Sequence, residues 1–301
     1  MTFETLYDQV LSEKTQKKSE RVILMIAIAS FLIHLILIFL VDLGLISVPS
    51  SSDLLTNPIA AIYTPFSFIL VYEVYLLIYY LPRSITTYIS KQYEIISLII
   101  IRRIFKDLSS LSLTSDWFSV KNDLQFTYDI LASVLLFFLI YLFYKFSHQG
   151  ESNLDGETSN STIRFIRLKK GVATCLVPVI VFLAIYSFVT WLLGVLHLGV
   201  VGNTSFKNIN NIFFEQFFSI LIIVDVILLL FSFFHTDEFH KVIRNSGFII
   251  STILIRISFS VSGLLNTLLI ISAIVFGLLI LLIHNQFESH AAKVKKSMAA
   301  H

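Results

Sequence analysis

A single cysteine, Cys175, stands in a chain of 301 residues. That excludes an intrachain disulfide and any multi-cysteine metal cluster. Glycine and proline are also scarce, ten and five, where average usage would give roughly twice as many glycines. Carriers that bind substrate on broken helices near mid-membrane need such interruptions inside their apolar runs, so the shortage weighs against that architecture. Charge is thin as well: 14% of residues are Asp, Glu, Lys or Arg, against about 25% in soluble domains. The net charge is only +2 and no basic stripe with interleaved aromatics occurs, so nucleic acid is not an expected partner. No phosphate-binding glycine loop, nucleophile elbow or H-E-x-x-H motif is present. No catalytic residue, cofactor or metal is expected, and an enzyme is the least favoured class.

Long apolar runs are what the chain has instead. Hydrophobic residues make up 56% of it, and several segments approach the twenty residues needed to cross about 30 Å of hydrocarbon. Unbroken Leu/Ile/Phe runs have the wrong period for a membrane β-barrel, so the expected class is an all-α integral membrane protein. The clear spans are 22–46, 59–81, 126–146, 172–195, 212–234 and 264–283. Two shorter runs, 93–105 and 248–259, carry arginines and fit either a short crossing or an interfacial helix.

The basic residues decide between these by the positive-inside rule. With both short runs crossing, eight helices result and both termini face the cytoplasm. Sixteen of the 22 basic residues then lie on that side: Lys14, Lys17, Lys18, Arg21, Arg83, Lys91, Lys145, Arg164, Arg167, Lys169, Lys170, Lys241, Arg244, Lys293, Lys295 and Lys296. With six helices the bias reverses. The sequence therefore predicts about eight helices as two parallel four-helix repeats, residues 21–149 and 171–288. Residues 1–20 form a cytoplasmic amphipathic helix, 150–170 a polar and basic cytoplasmic linker, and 289–301 a basic cytoplasmic tail. The expected location is a plasma or inner membrane. Of the sequons at Asn160 and Asn203, only Asn203 would face outward. Tyr79, Tyr80, Trp117 and Trp191 read as interfacial aromatics.

The repeat is visible in the residues. Phe66 to Leu77 reads FSFILVYEVYLL and Phe218 to Leu229 reads FSILIIVDVILL; Ile95 to Arg102 reads IISLIIIR and Ile249 to Arg256 reads IISTILIR. A carboxylate thus interrupts one run of each half and an arginine ends the next. Duplicated membrane units leave this kind of self-similarity, and charges in hydrocarbon are costly and usually functional. Counting helix rise from the predicted ends puts Glu73 and Arg102 roughly 12 and 16 Å deep, and Asp225 and Arg256 roughly 14 and 18 Å deep. Two intramembrane pairs at matching levels are expected, Glu73 with Arg102 and Asp225 with Arg256. The competing reading has Arg102, Arg103 and Lys106 snorkelling outward from a helix end. Arg103, His34 and Asp42 are secondary candidates; a lone histidine such as His34 is more often a packing residue than a proton relay. His235, Asp237, Glu238 and His240 cluster in a predicted loop, and their spacing is not that of a helical zinc motif.

Acid facing arginine on adjacent helices is similar to the arrangement in voltage-sensing four-helix domains. That family carries basic residues at every third position of its fourth helix, and this chain has no such ladder, so no family follows. The expectation is an ion pathway, formed or gated by an oligomer of this chain in the bilayer, with a cytoplasmic protein or ligand as regulator. The alternatives are a secondary transporter of a small solute and a non-conducting membrane scaffold or accessory subunit.

Overall fold

Stop and start signals in the first forty residues are resolved at atomic detail. In the computed structural model, which describes residues 3–45, 61–108, 121–151, 160–198, 206–234, 238–261 and 263–298, the polar N-terminus is two helices rather than one. Helix α1 covers Phe3–Val10 and α2 covers Glu13–Asp42. Ser12 separates them, with extended backbone and a side chain that accepts from the Thr15 amide at 3.2 Å, which satisfies one of the free donors of the new helix start. Gly44, at φ +73°, ends α2. The Leu45 amide donates to Leu40 at 3.1 Å and the Gly44 amide to Val41 at 2.9 Å, the Schellman pairing that needs a left-handed residue there.

The remaining helices are α3 (Tyr63–Tyr80), α4 (Ile85–Leu108), α5 (Lys121–Glu151), α6 (Asn160–Leu198), α7 (Phe206–Phe233), α8 (Phe239–Ser258) and α9 (Leu264–Met298). No strand occurs among the described residues, and eight helices follow the short α1. Among the described residues, five segments are long and apolar enough to cross a membrane: Thr5–Asp42, Phe126–Ser147, Ile163–Tyr186, Gln216–Phe233 and Leu264–Ala291, with Thr64–Tyr80 as a shorter apolar helix. The chain is a multi-pass helical membrane protein. The predicted linker is shorter than the sequence suggests, because residues 160–170 form the first turns of α6; no proline or glycine interrupts them before Gly171. Trp117, Asn203, His235 and Asp237 lie outside the described residues.

The two ambiguous arginine-bearing runs belong to longer helices. α4 has 24 residues and α8 has 20, about 36 and 30 Å at 1.5 Å per residue, enough to match the hydrocarbon thickness. Their polar turns make them less apolar than those five segments.

The chain divides into two compact units: Met1–Tyr80 with Ile101–Trp117 and Lys170–Leu221, and Leu81–Ile100 with Phe118–Lys169 and Ile222–His301. Each unit draws on both halves of the sequence. In the first, α3 packs on α2. In the second, α9 packs against α8 and α5.

Residue pairings in the second unit fix helix directions. On α7 and α8, Asp225 meets Arg256 and Ser232 meets Asn245, so these helices are antiparallel. On α8 and α9, Ser251 bonds the Ala273 carbonyl and Arg244 meets His284, again antiparallel. A helix lying across the end of the bundle could not show both registers, so α8 runs along its neighbours. Between α5 and α9, Thr267 donates to Asp129 at 3.2 Å and Asn285 to the Phe146 carbonyl at 2.8 Å. The lower number pairs with the lower number in both cases, so α5 and α9 are parallel. One end of this unit also gathers predicted cytoplasmic positions. Lys169 Nζ donates to the Arg83 carbonyl at 3.1 Å, Lys91 pairs with Glu94 at 2.8 Å, and Tyr144 donates to Glu94.

Candidate functional site

Both predicted charge pairs form. Glu73 projects from α3 in the first unit and meets Arg102 of α4, Nη1 to Oε2, at 3.2 Å. The same Nη1 lies 3.4 Å from the Phe66 carbonyl, and the side chains are 11% and 5% exposed for Arg102 and Glu73. Asp225 of α7 and Arg256 of α8 lie in the second unit, Nη2 to Oδ2, at 2.7 Å, with exposures of only 3% for the arginine and 1% for the aspartate.

Their surroundings differ. The Asp225 carboxylate also accepts from the Tyr88 hydroxyl at 2.9 Å, and Arg256 Nη2 donates to Gln92 Oε1 at 3.2 Å. Tyr88 and Gln92 are four apart on α4 and so share one face of it. Three helices therefore meet at one ion pair. A guanidinium only donates, so the Gln92 oxygen must face Arg256 and its amide nitrogen must point away. Gln92 Nε2 and Arg256 Nη1 are buried with no hydrogen-bond partner among the described residues, two donors whose desolvation is not offset.

One turn along, the core of this unit is closed by polar packing. The Tyr93 hydroxyl and Ser251 Oγ are 2.7 Å apart, and Ser251 donates to the Ala273 carbonyl at 2.6 Å. Gly277 makes room for this: a Cβ there would collide with Tyr93 Oη and stand 3.1 Å from Ser251 Oγ. The Tyr93 ring packs edge-on against Phe143 at 5.0 Å between centroids.

The first pair stands level with charged residues of α2. Tyr72, beside Glu73, donates to Glu20 at 3.1 Å and accepts from Gln16 Nε2 at 2.6 Å. Tyr75 donates to the Val10 carbonyl at 2.9 Å. The charged start of α2 therefore reaches the level of Glu73, and from residue 22 to residue 41 α2 carries no Asp, Glu, Lys or Arg. Counting rise along α3 alone missed this, because depth depends on what neighbouring helices present at the same level. Asp225 instead sits at the middle of the apolar segment Gln216–Phe233.

Of the secondary candidates, His34 Nδ1 meets Thr64 Oγ1 between α2 and α3, a packing role. Asp42 is exposed at the last turn of α2, and Arg103 is half-buried on α4. Sequence reasoning passed over Tyr88, Gln92 and Asp129. Asp129 is fully buried on α5 and accepts from Thr267; its place three residues inside a predicted span was a usable signal. Tyr88 and Gln92 precede the apolar run 93–105, so only the full length of α4 reveals them.

His240, Glu238, Arg244, His284 and Glu288 form a separate polar cluster at one end of α8 and α9. No family model, curated protein or solved structure matches this chain.

Proposed function

We propose that this protein forms or gates an ion pathway across the membrane, as an oligomer, with eight crossing helices in two parallel repeats and both termini in the cytoplasm. The observation that carries the reading is the Asp225–Arg256 pair, buried at the middle of an apolar helix, with two adjacent donors unpaired among the described residues. Charges placed there cost several kcal/mol unless compensated, and the unsatisfied Gln92 and Arg256 hydrogens make the closed packing easier to open. In the proposed mechanism, separation of Arg256 from Asp225 hydrates the seam between α4, α7 and α8 and lets ions pass. Within its own unit, Glu73–Arg102 ties α3 to α4 level with the charged start of α2. The antiparallel run of α7, α8 and α9 supports the eight-helix topology, and the grouping of Arg83, Lys91 and Lys169 at one end supports its orientation.

A second reading has an observation of its own. The same pair is almost wholly screened from solvent and links three helices, as a clamp in a non-conducting scaffold or accessory subunit would. The two readings separate in one experiment. Purified chain is reconstituted in liposomes loaded with an ion-sensitive dye, beside an Asp225→Asn variant. Ion flux that changes severalfold in the variant supports the pathway. Absence of flux from both proteins for Na+, K+, H+ and Cl−, with each protein folded and monodisperse, overturns it in favour of the scaffold.

A further inference from the structure

The polar end of α8 and α9 holds three side chains that the ion-pair reading leaves unused. His284 and Glu288 are one helical turn apart on α9, hence on one face. His240 comes from the first turn of the antiparallel α8. One ligand atom from each of the three lies within 4.8 Å of the others. We propose that His240, His284 and Glu288 bind a divalent transition-metal ion of the zinc class, in competition with the Arg244 guanidinium.

Two imidazoles and a carboxylate are the donor set of three-ligand zinc sites, which keep the fourth position for water. Around this set the geometry is already that of a cation site. His284 Nε2 stands 3.2 Å from Glu288 Oε1 and 2.9 Å from Arg244 Nη1. Because arginine only donates, the Nε2 lone pair and the carboxylate both face a positive charge. Arg244 is held independently: its Nε and Nη2 each lie 3.2 Å from Asn245 Oδ1. It can therefore release Nη1 and stay anchored while a metal takes that place.

The remaining ligand has its own support. His240 Nε2 is 3.2 Å from Glu238 Oε2, the carboxylate–histidine arrangement that orients a metal-binding ring through its other nitrogen. The His240 and His284 rings stack at 5.2 Å between centroids. Tetrahedral zinc, with bonds of about 2.1 Å, needs its ligand atoms about 3.4 Å apart, so the triangle must tighten. His284 is buried, and its Nδ1 has no hydrogen-bond partner among the described residues.

The test uses the full chain in detergent without a polyhistidine tag, titrated with Zn2+ against a chromophoric chelator, with bound zinc counted by mass spectrometry. One zinc per chain is expected. Glu288→Gln and His240→Asn should each weaken binding by tenfold or more, and Glu238→Gln by about tenfold, as loss of an orienting partner does. Arg244→Gln should tighten binding by about tenfold, since one unit charge leaves contact range. Co2+ on the unaltered chain should give the intense visible bands of a four-coordinate ion, a readout that needs no variant to fold. Absence of saturable zinc binding, or binding unchanged in both Glu288→Gln and His240→Asn, overturns the proposal, as does a Co2+ spectrum identical to the aqueous ion. Metal binding is read without ion flux, so either proposal can fail alone.

Discussion

Glu73–Arg102 and Asp225–Arg256 arise from closely similar stretches of sequence, yet they end in different electrostatic settings. The first has a charge-to-charge contact at 3.2 Å and a long approach to a backbone carbonyl. A tyrosine next to it bonds the charged turn of α2. The second is shorter, at 2.7 Å, more deeply buried, and surrounded by Tyr88 and Gln92 from a third helix. Burial raises the desolvation cost of each charge, so the deeper pair depends on every partner it has. A repeated motif therefore carries its residue types from one half to the other without carrying its environment.

Breaking the deeper pair should have the largest effect. Arg256→Met leaves Asp225 buried without its countercharge and should cost about 3–5 kcal/mol, read as lost thermal stability in detergent. Parity with Glu73→Gln would erase the distinction between the pairs. Next comes Gly277→Ala, which pushes a methyl group at the Tyr93 hydroxyl and should cost about 1–3 kcal/mol by overpacking. Adding Tyr93→Phe should restore most of that loss, because it removes the colliding oxygen; no rescue would mean the clash is elsewhere. The smallest effect is expected for Glu73→Gln. The amide still accepts from Arg102 in a setting that already holds polar groups, so the cost should be about 1 kcal/mol. A loss above that of Gly277→Ala would place the first pair among the deeply buried ones.

Much of this was legible in the sequence. The apolar runs announced the helices, and the basic residues argued that the runs at 93–105 and 248–259 extend along the bundle rather than across it. α8 does so, antiparallel to α7 and α9. Glu73, Arg102, Asp225 and Arg256 pair as their placement suggested. Three features were not legible, each for a physical reason. Helix ends moved outward because polar turns free of proline and glycine can continue a helix that apolar content does not mark, as at residues 85–92 and 160–170. The level of Glu73 depended on α2, whose register against α3 is set by Tyr72 and Tyr75 rather than by either helix alone. The cluster of His240 with His284 and Glu288 joins positions more than forty residues apart, beyond the reach of any local spacing rule.

The parallel pairing of α5 with α9 also sets a clock. Asp129 receives a hydrogen bond from Thr267, 138 residues later in the chain. At a synthesis rate of about 5–20 residues per second, α5 exists for roughly 7–28 s before that partner is made. The α8–α9 hairpin, by contrast, joins Ser251 to Ala273 across only 22 residues and can close almost as soon as it emerges. The Asp129–Thr267 bond therefore spans a much longer interval of synthesis than the α8–α9 contact does.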